Sequence, residues 1–226
     1  MSERPLPEPI SRHLNQVLPE DSSTPERVRL AQTGEMFRRP GDRPLAFSAV
    51  QEYAVQRVEF EWRAAFGPNR LVRLAVVDRY RDGEGLLTAK VWGLLPAMRS
   101  AGPETDRGEA MRYLGELPWV PHAIASNPEL SWRELGDGSV EVSTRVGETI
   151  ASVQLSLDGS GLIRSASAMR PRIAGRTAID TPWVGEFGDY VELGGIRVPE
   201  RAEASWELPE GRFTYWRGEI EALVAE

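Results

Sequence analysis

Cysteine is absent from the 226-residue chain, which removes disulfides, thiolate zinc sites, iron–sulfur ligation and a cysteine nucleophile together. The absence fits a reducing compartment. Histidine is scarce: His13 and His122 are the only two. They cannot build a multi-histidine metal site, and no HExxH motif, ligand-spaced carboxylate cluster or regular Asp-x-Asp-x-Asp loop accompanies them, so no metal is expected. Glycine-rich phosphate loops are missing, and no cofactor is expected. Positive charge is not in excess either. The formal net charge of -7 disfavours both a reader of nucleic-acid backbone and an electrostatic hold on anionic lipid. No run approaches the roughly 20 apolar residues of a membrane helix. The first twenty residues lack the apolar segment of a secretory signal. The expectation is a soluble, cytoplasmic chain without a membrane span.

What is present is an ordinary globular composition, 41% hydrophobic and 27% charged, with seven tryptophans that each need burial or a ligand. Residues 1–9 read as a flexible, proline-rich tail. Ile10, Leu14, Val17 and Leu18 then have helical spacing, and the segment 19–25, rich in proline and serine, stops that helix. From there the period becomes two. Val58, Phe60, Trp62, Ala64 and Phe66 share one face of a strand, with Glu59, Glu61 and Arg63 on the other. Strands over 71–80 and 86–95, joined by the turn Asp82-Gly83-Glu84-Gly85, are apolar on both faces and belong centrally in a sheet.

After a helical stretch around 106–117 the alternation resumes over 140–146 and 151–157. It returns over 196–206 and 212–223. Roughly nine to eleven strands at this spacing predict a mainly β (α+β) protein. Its form would be a single curved antiparallel sheet, a half-barrel or barrel-like meander, with one or two helices packed on it. No internal repeat or long linker divides residues 10–226, which read as one β-rich domain.

The segment 112–121, RYLGELPWVP, invites a closer look. Asp106 and Glu109 have the spacing of an N-cap and its reciprocal acid, and Pro118 would end a helix at Leu117. At roughly 100° per residue, Met111, Tyr113, Leu114, Gly115 and Leu117 form one broad apolar arc, with Arg112 and Glu116 opposite. Three readings follow. The first is a surface i,i+4 ion pair worth roughly 0.3–0.5 kcal/mol. The pair also fits a buried structural network tying the helix to strand ends. The third reading has that side facing a cavity, with Glu116 and His122 as an acid/base pair oriented by Arg112. Trp119, between two prolines, reads as a stiff core hook that anchors a strand over 130–135.

Other residues admit chemistry but have ordinary explanations. Ser160, in Asp-Gly-Ser-Gly, fits hairpin-turn chemistry better than a nucleophile elbow. Lys90, the sole lysine, could form a Schiff base but more readily snorkels at a strand edge. Arg170, Arg172 and Arg176 could hold an anion, yet a solvated loop is the default reading. The small residues 165–168 on a strand leave volume that could become an apolar pocket beside tryptophans.

The pattern Arg112-Tyr113-Leu114-x-Glu116-x-x-Trp119-x-Pro121 resembles the signature of an uncharacterised bacterial family known only as a domain of unknown function. The resemblance extends to Asp78-x-Tyr80-x-x-Gly83-x-Gly85, Trp183-x-Gly185, Asp189-Tyr190, Gly195-Ile196-x-x-Pro199, Trp206 and Tyr215-Trp216-x-Gly218. It implies a mainly antiparallel β protein with one or two helices and transfers no catalytic residue. Some members carry N-terminal membrane segments, which have no counterpart in this sequence. By fold-level analogy such a sheet is similar to the half-barrels of lipoprotein-carrier proteins, which hold acyl chains.

These readings converge on a non-catalytic binding domain. Its concave face would take an apolar or amphipathic small ligand, a lipid for example, against Trp62, Trp92, Arg112, Glu116, Trp119 and Tyr190. The alternative is a hydrolase- or isomerase-type acid/base enzyme using Glu116 with Arg112 and His122 or Asp189. A protein-interaction module built on an exposed edge strand is a third possibility. Oligomeric state is not legible in the sequence.

Overall fold

A computed structural model of the chain describes residues 5–67, 74–91, 95–174 and 177–226. Strands dominate it. The first six are β1 (Arg27–Met36), β2 (Leu45–Ala54), β3 (Phe60–Phe66), β4 (Leu74–Arg81), β5 (Glu84–Val91) and β6 (Leu95–Ala101). Seven more follow a helical segment: β7 (Ser131–Gly136), β8 (Ser139–Val146), β9 (Thr149–Leu157), β10 (Ile163–Ala174), β11 (Thr177–Leu193), β12 (Ile196–Leu208) and β13 (Gly211–Ala225). The described residues also form three helices, α1 (Glu8–Val17), α2 (Pro103–Gly115) and α3 (Pro121–Ser126), with a 3₁₀ turn (Leu117–Trp119) between the last two.

All thirteen strands form one antiparallel sheet in the order β6-β5-β4-β3-β2-β1-β13-β12-β11-β10-β9-β8-β7. Each half is a simple meander, and the halves are joined by the pairing of β1 with β13. The sheet curves into a half-barrel. Local chemistry fixes the register. In β3 the alternating residues Phe60, Trp62, Ala64 and Phe66 are buried, as their period of two requires. The β4–β5 hairpin closes through Asp82 and Gly83 alone, both at positive φ (53° and 82°), the conformation that a two-residue primed turn demands.

Several boundaries differ from the sequence reading. Thirteen strands exceed the nine to eleven expected. β1 and β2 interrupt their inward faces with Gln32 and Gln51, which blurs the apolar alternation. The span 86–95 divides between the end of β5 and the start of β6. Helix α1 begins at Glu8 and Leu6 packs on the core, so ordered structure starts inside the expected tail. Helix α3 adds a third helix, too short to show a helical period.

The edges β6 and β7 are consecutive in sequence apart from the helical segment. That segment must therefore travel from one edge of a curved sheet to the other, and it does so across the concave side. Helix α2 accordingly packs on β4, β5 and β6 of one half and on β8, β9 and β10 of the other. Among the described residues no helix is long and apolar enough to cross a membrane.

Candidate functional site

Helix α2 starts with Pro103 at its first position, where a missing N–H is no loss. This moves the start three residues ahead of the expected Asp106. Asp106 instead accepts a hydrogen bond from the Gly85 backbone N–H on β5 at 2.7 Å, pinning helix to sheet. A Cβ at Gly85 would lie 2.8 Å from the Thr105 carbonyl oxygen, so only glycine allows this approach. Glu109 becomes a buried mid-helix residue rather than part of a cap.

Because α2 lies inside the half-barrel, both of its sides are covered. Tyr113, Leu114 and Leu117 are fully buried in the core. On the other side, Arg112 and Glu116 are only 16% exposed at their side chains. They do form the expected i,i+4 pair, with Arg112 Nε donating to Glu116 Oε1 at 2.8 Å, but it is not a surface pair. Arg112 Nη1 also donates to Asp78 Oδ2 on β4 at 2.6 Å, and the guanidinium stands over the rings of Phe60 and Trp62 at 4.9 and 5.2 Å. The second Glu116 oxygen accepts from Gln51 Nε2 at 2.6 Å and from Tyr53 Oη at 2.9 Å.

The network runs further across the sheet. Trp62 Nε1 donates to Gln32 Oε1 at 2.9 Å, and Gln32 Nε2 donates to Gln51 Oε1 at 3.2 Å. An indole can only donate and an ionised carboxylate can only accept. The tryptophan at one end and Glu116 at the other therefore fix the orientation of both amides. Glu116 receives three hydrogen bonds and is a held anchor; as a general base it would have to break them.

Next to this network lies a cavity of about 690 Å³ between α2 and the concave face, within the roughly 300–1,000 Å³ range of small-molecule sites. Trp62, Trp119, Trp183 and Trp216 wall it, with Phe187 and Leu74. Three of those indoles have their N–H satisfied elsewhere: Trp62 by Gln32, Trp119 by the Pro199 carbonyl (2.9 Å) and Trp183 by Tyr215 Oη (3.0 Å). They thus present apolar surface to the space. Trp119 packs edge-on against Phe187 and Trp216, which ties the 3₁₀ turn to β11–β13 rather than to the strand over 130–135. Met98, half exposed, stands at the rim.

The polar end of the cavity contains Asp78, Glu109, Arg112, Glu116 and Arg170. Burial raises the carboxyl of Glu109 to about 8, and the nearby Asp78 charge adds to this. Asp78 is also raised by burial, opposed by its contact with Arg112. Arg112 is penalised by burial, yet Glu116 and Asp78 outweigh this and hold it firmly charged. Arg170 lies on β10, over the Trp183 ring at 5.0 Å, with Nη2 donating to the Gly108 carbonyl at 2.8 Å. It is a buried strand residue, not part of a solvated loop.

The structure brings Trp62, Arg112, Glu116 and Trp119 together at the cavity and leaves other expected residues apart. Tyr190 donates to the Ile163 carbonyl at 2.7 Å and packs edge-on against His13, away from the cavity lining. His122 on α3 sits 3.0 Å from Ser22 Oγ, its pKa lowered by burial, and does not meet Glu116. Asp189, at a positive-φ position of β11, pairs with Arg201 on the surface. The acid/base constellation of Glu116 with His122 or Asp189 is therefore not assembled. Lys90 is exposed. Trp92 and Arg176 lie outside the described residues. Sequence reasoning missed Gln32, Gln51, Asp78 and Glu109 as site residues. For Gln32, Gln51 and Asp78 the signal was present: a polar residue at an inward position of a period-two pattern, as with Asp78 between Val76 and Tyr80.

The fold is similar to that of an outer membrane lipoprotein-sorting domain from Vibrio parahaemolyticus. The TM-score is 0.50 at 8% identity, over 97% of this chain and 89% of that one. A DUF1329 family protein from Desulfovibrio piger and a LolA superfamily protein from Nitrosomonas europaea give TM-scores of 0.49 and 0.47 at 12% and 10% identity. Each covers 96% of this chain and 92% of its own. A comparison with curated proteins finds no match. The model of the family of unknown function DUF6544 matches residues 2–218, and the chain belongs to that family.

Proposed function

We propose that the protein is a non-catalytic binding domain for an amphipathic small molecule, whose apolar body occupies the cavity beneath α2 and whose polar end meets the Arg112 network. The observation that carries this reading is the 690 Å³ space itself, bounded by four tryptophans whose positions are fixed by hydrogen bonds and ring packing. A protein interior normally closes such a volume. This one is held open by side chains anchored away from it. The half-barrel shared with a lipoprotein-sorting domain supports an apolar occupant.

The test is titration with N-phenyl-1-naphthylamine, an uncharged probe that fluoresces in apolar sites. One saturable site per chain is expected. Ala204→Phe, which places a ring into the cavity from β12, should weaken it by about tenfold or more. Absence of saturable binding by a folded wild-type protein would contradict the reading.

A further inference from the structure

Three buried polar atoms at the inner end of the cavity have no hydrogen-bond partner among the described residues: Asp78 Oδ1, Glu109 Oε2 and Arg170 Nε. Their residues are 7%, 8% and 8% exposed, and all three line the same space. Two of the three residues are otherwise well held. Asp78 gives its other oxygen to Arg112 at 2.6 Å, and Arg170 gives its Nη2 to the Gly108 carbonyl at 2.8 Å. The three groups also act on one another, since Arg170 draws down both carboxyls and Asp78 pushes Glu109 up. Buried polar atoms in folded proteins almost always find a partner, and leaving one unpaired is destabilising. An acceptor at Asp78, a donor at Arg170 and, on the protonated Glu109, a carboxyl that can act as either are thus left open at one end of an apolar cavity, a pattern that a polar head group can meet.

The charges narrow its chemistry. Asp78 and Glu116 balance Arg112 and Arg170, and Glu109 keeps its proton at neutral pH because burial opposes its ionisation. The end is then electrically balanced. A carboxylate or phosphate head would satisfy Arg170 Nε and could accept from the protonated Glu109, but it would face the Asp78 carboxylate and unbalance the charge. An ammonium head would satisfy the two acids but leave Arg170 Nε unpaired and bring a cation beside two guanidinium groups. A hydroxyl both donates and accepts. Two hydroxyls can donate to the two carboxyl oxygens while one of their oxygens accepts from Arg170.

We propose that the cavity selects amphiphiles with an uncharged, hydroxylated head, seated against Asp78, Glu109 and Arg170, over anionic or cationic ones of the same chain length. This rests on the binding function proposed above and adds the class of ligand to it. The experiment compares three probes with one tail length on the unmodified protein: 1-monododecanoylglycerol, dodecanoate and dodecylamine, each displacing N-phenyl-1-naphthylamine at pH 7. The glycerol ester should displace at a concentration lower by about tenfold or more than either charged probe. Glu109→Leu, checked for native circular dichroism, should reduce that preference to about threefold or less. Equal displacement by all three, or tighter binding of dodecanoate or dodecylamine, overturns the head selection while leaving the cavity as an amphiphile site. Failure of all three to displace a probe that does bind also overturns it. No binding of the probe itself removes the underlying function as well.

Discussion

Arg112 is the residue on which the interior depends most. It neutralises two carboxylates, Asp78 and Glu116, in a place where both are largely shielded from bulk water. Removing one partner of a buried ion pair leaves an uncompensated charge, a loss of about 3–5 kcal/mol. Arg112→Met should therefore lower the urea-unfolding free energy by about that amount, and Asp78→Asn in the same chain should recover part of it. Strict additivity of the two substitutions would show that the contact does not couple them. Glu109 makes a prediction of opposite character. Its carboxyl titrates at an ordinary 4.5 in the unfolded chain and near 8 in the folded one. Between those values the unfolded state has released a proton that the folded state keeps, so rising pH destabilises the fold, and below 4.5 the effect vanishes. Glu109→Leu lacks this loss. Its stability advantage over wild type should widen by about 3 kcal/mol from pH 5 to pH 8 in ligand-free protein. A pH-independent difference would contradict a buried, protonated Glu109.

At the scale of elements, α2 is the piece that turns a curved sheet into a container. Its position follows from topology, because it joins the two sheet edges, and from the close contact at Gly85. Gly85→Ala would force its methyl against the backbone of Thr105 and Asp106, neither of which can turn aside. A loss of about 1–3 kcal/mol is expected from such overpacking, measurable by chemical denaturation; a neutral effect would mean that the start of α2 is not seated as described. The strands were the legible part of the sequence, since a period of two shows directly in β3, β8 and β9. Helix α2 was legible as a helix, and the pairing of Arg112 with Glu116 was visible in their spacing. Which way that pair faced was not legible. An amphipathic helix on the outside of a protein has a wet side, whereas α2 from Gly108 onward runs through the concave side and is covered on both sides. That fact comes from the order β6-β5-β4-β3-β2-β1-β13 onward, in which the first strand meets the last. Sequence periodicity carries no information about such a long-range pairing. The same blindness hid the partner of Asp78, which is supplied by a helix thirty-four residues later.

At the scale of the whole molecule, two meanders share one concave face through the β1–β13 seam, and both contribute walls to the cavity. Trp62 comes from the first meander, Trp183 and Trp216 from the second, and Trp119 from the crossing segment. Four of the six described tryptophans thus report on one space. The account's central claim is that this space takes up an amphiphile, and tryptophan quenching by a bromine-labelled monoacylglycerol reads it directly. The account predicts that more than half of the tryptophan emission is quenched, that the effect saturates at one equivalent, and that Ala204→Phe abolishes it. Quenching that rises without saturation, or that is unchanged in Ala204→Phe, would place the amphiphile on the surface and contradict the account.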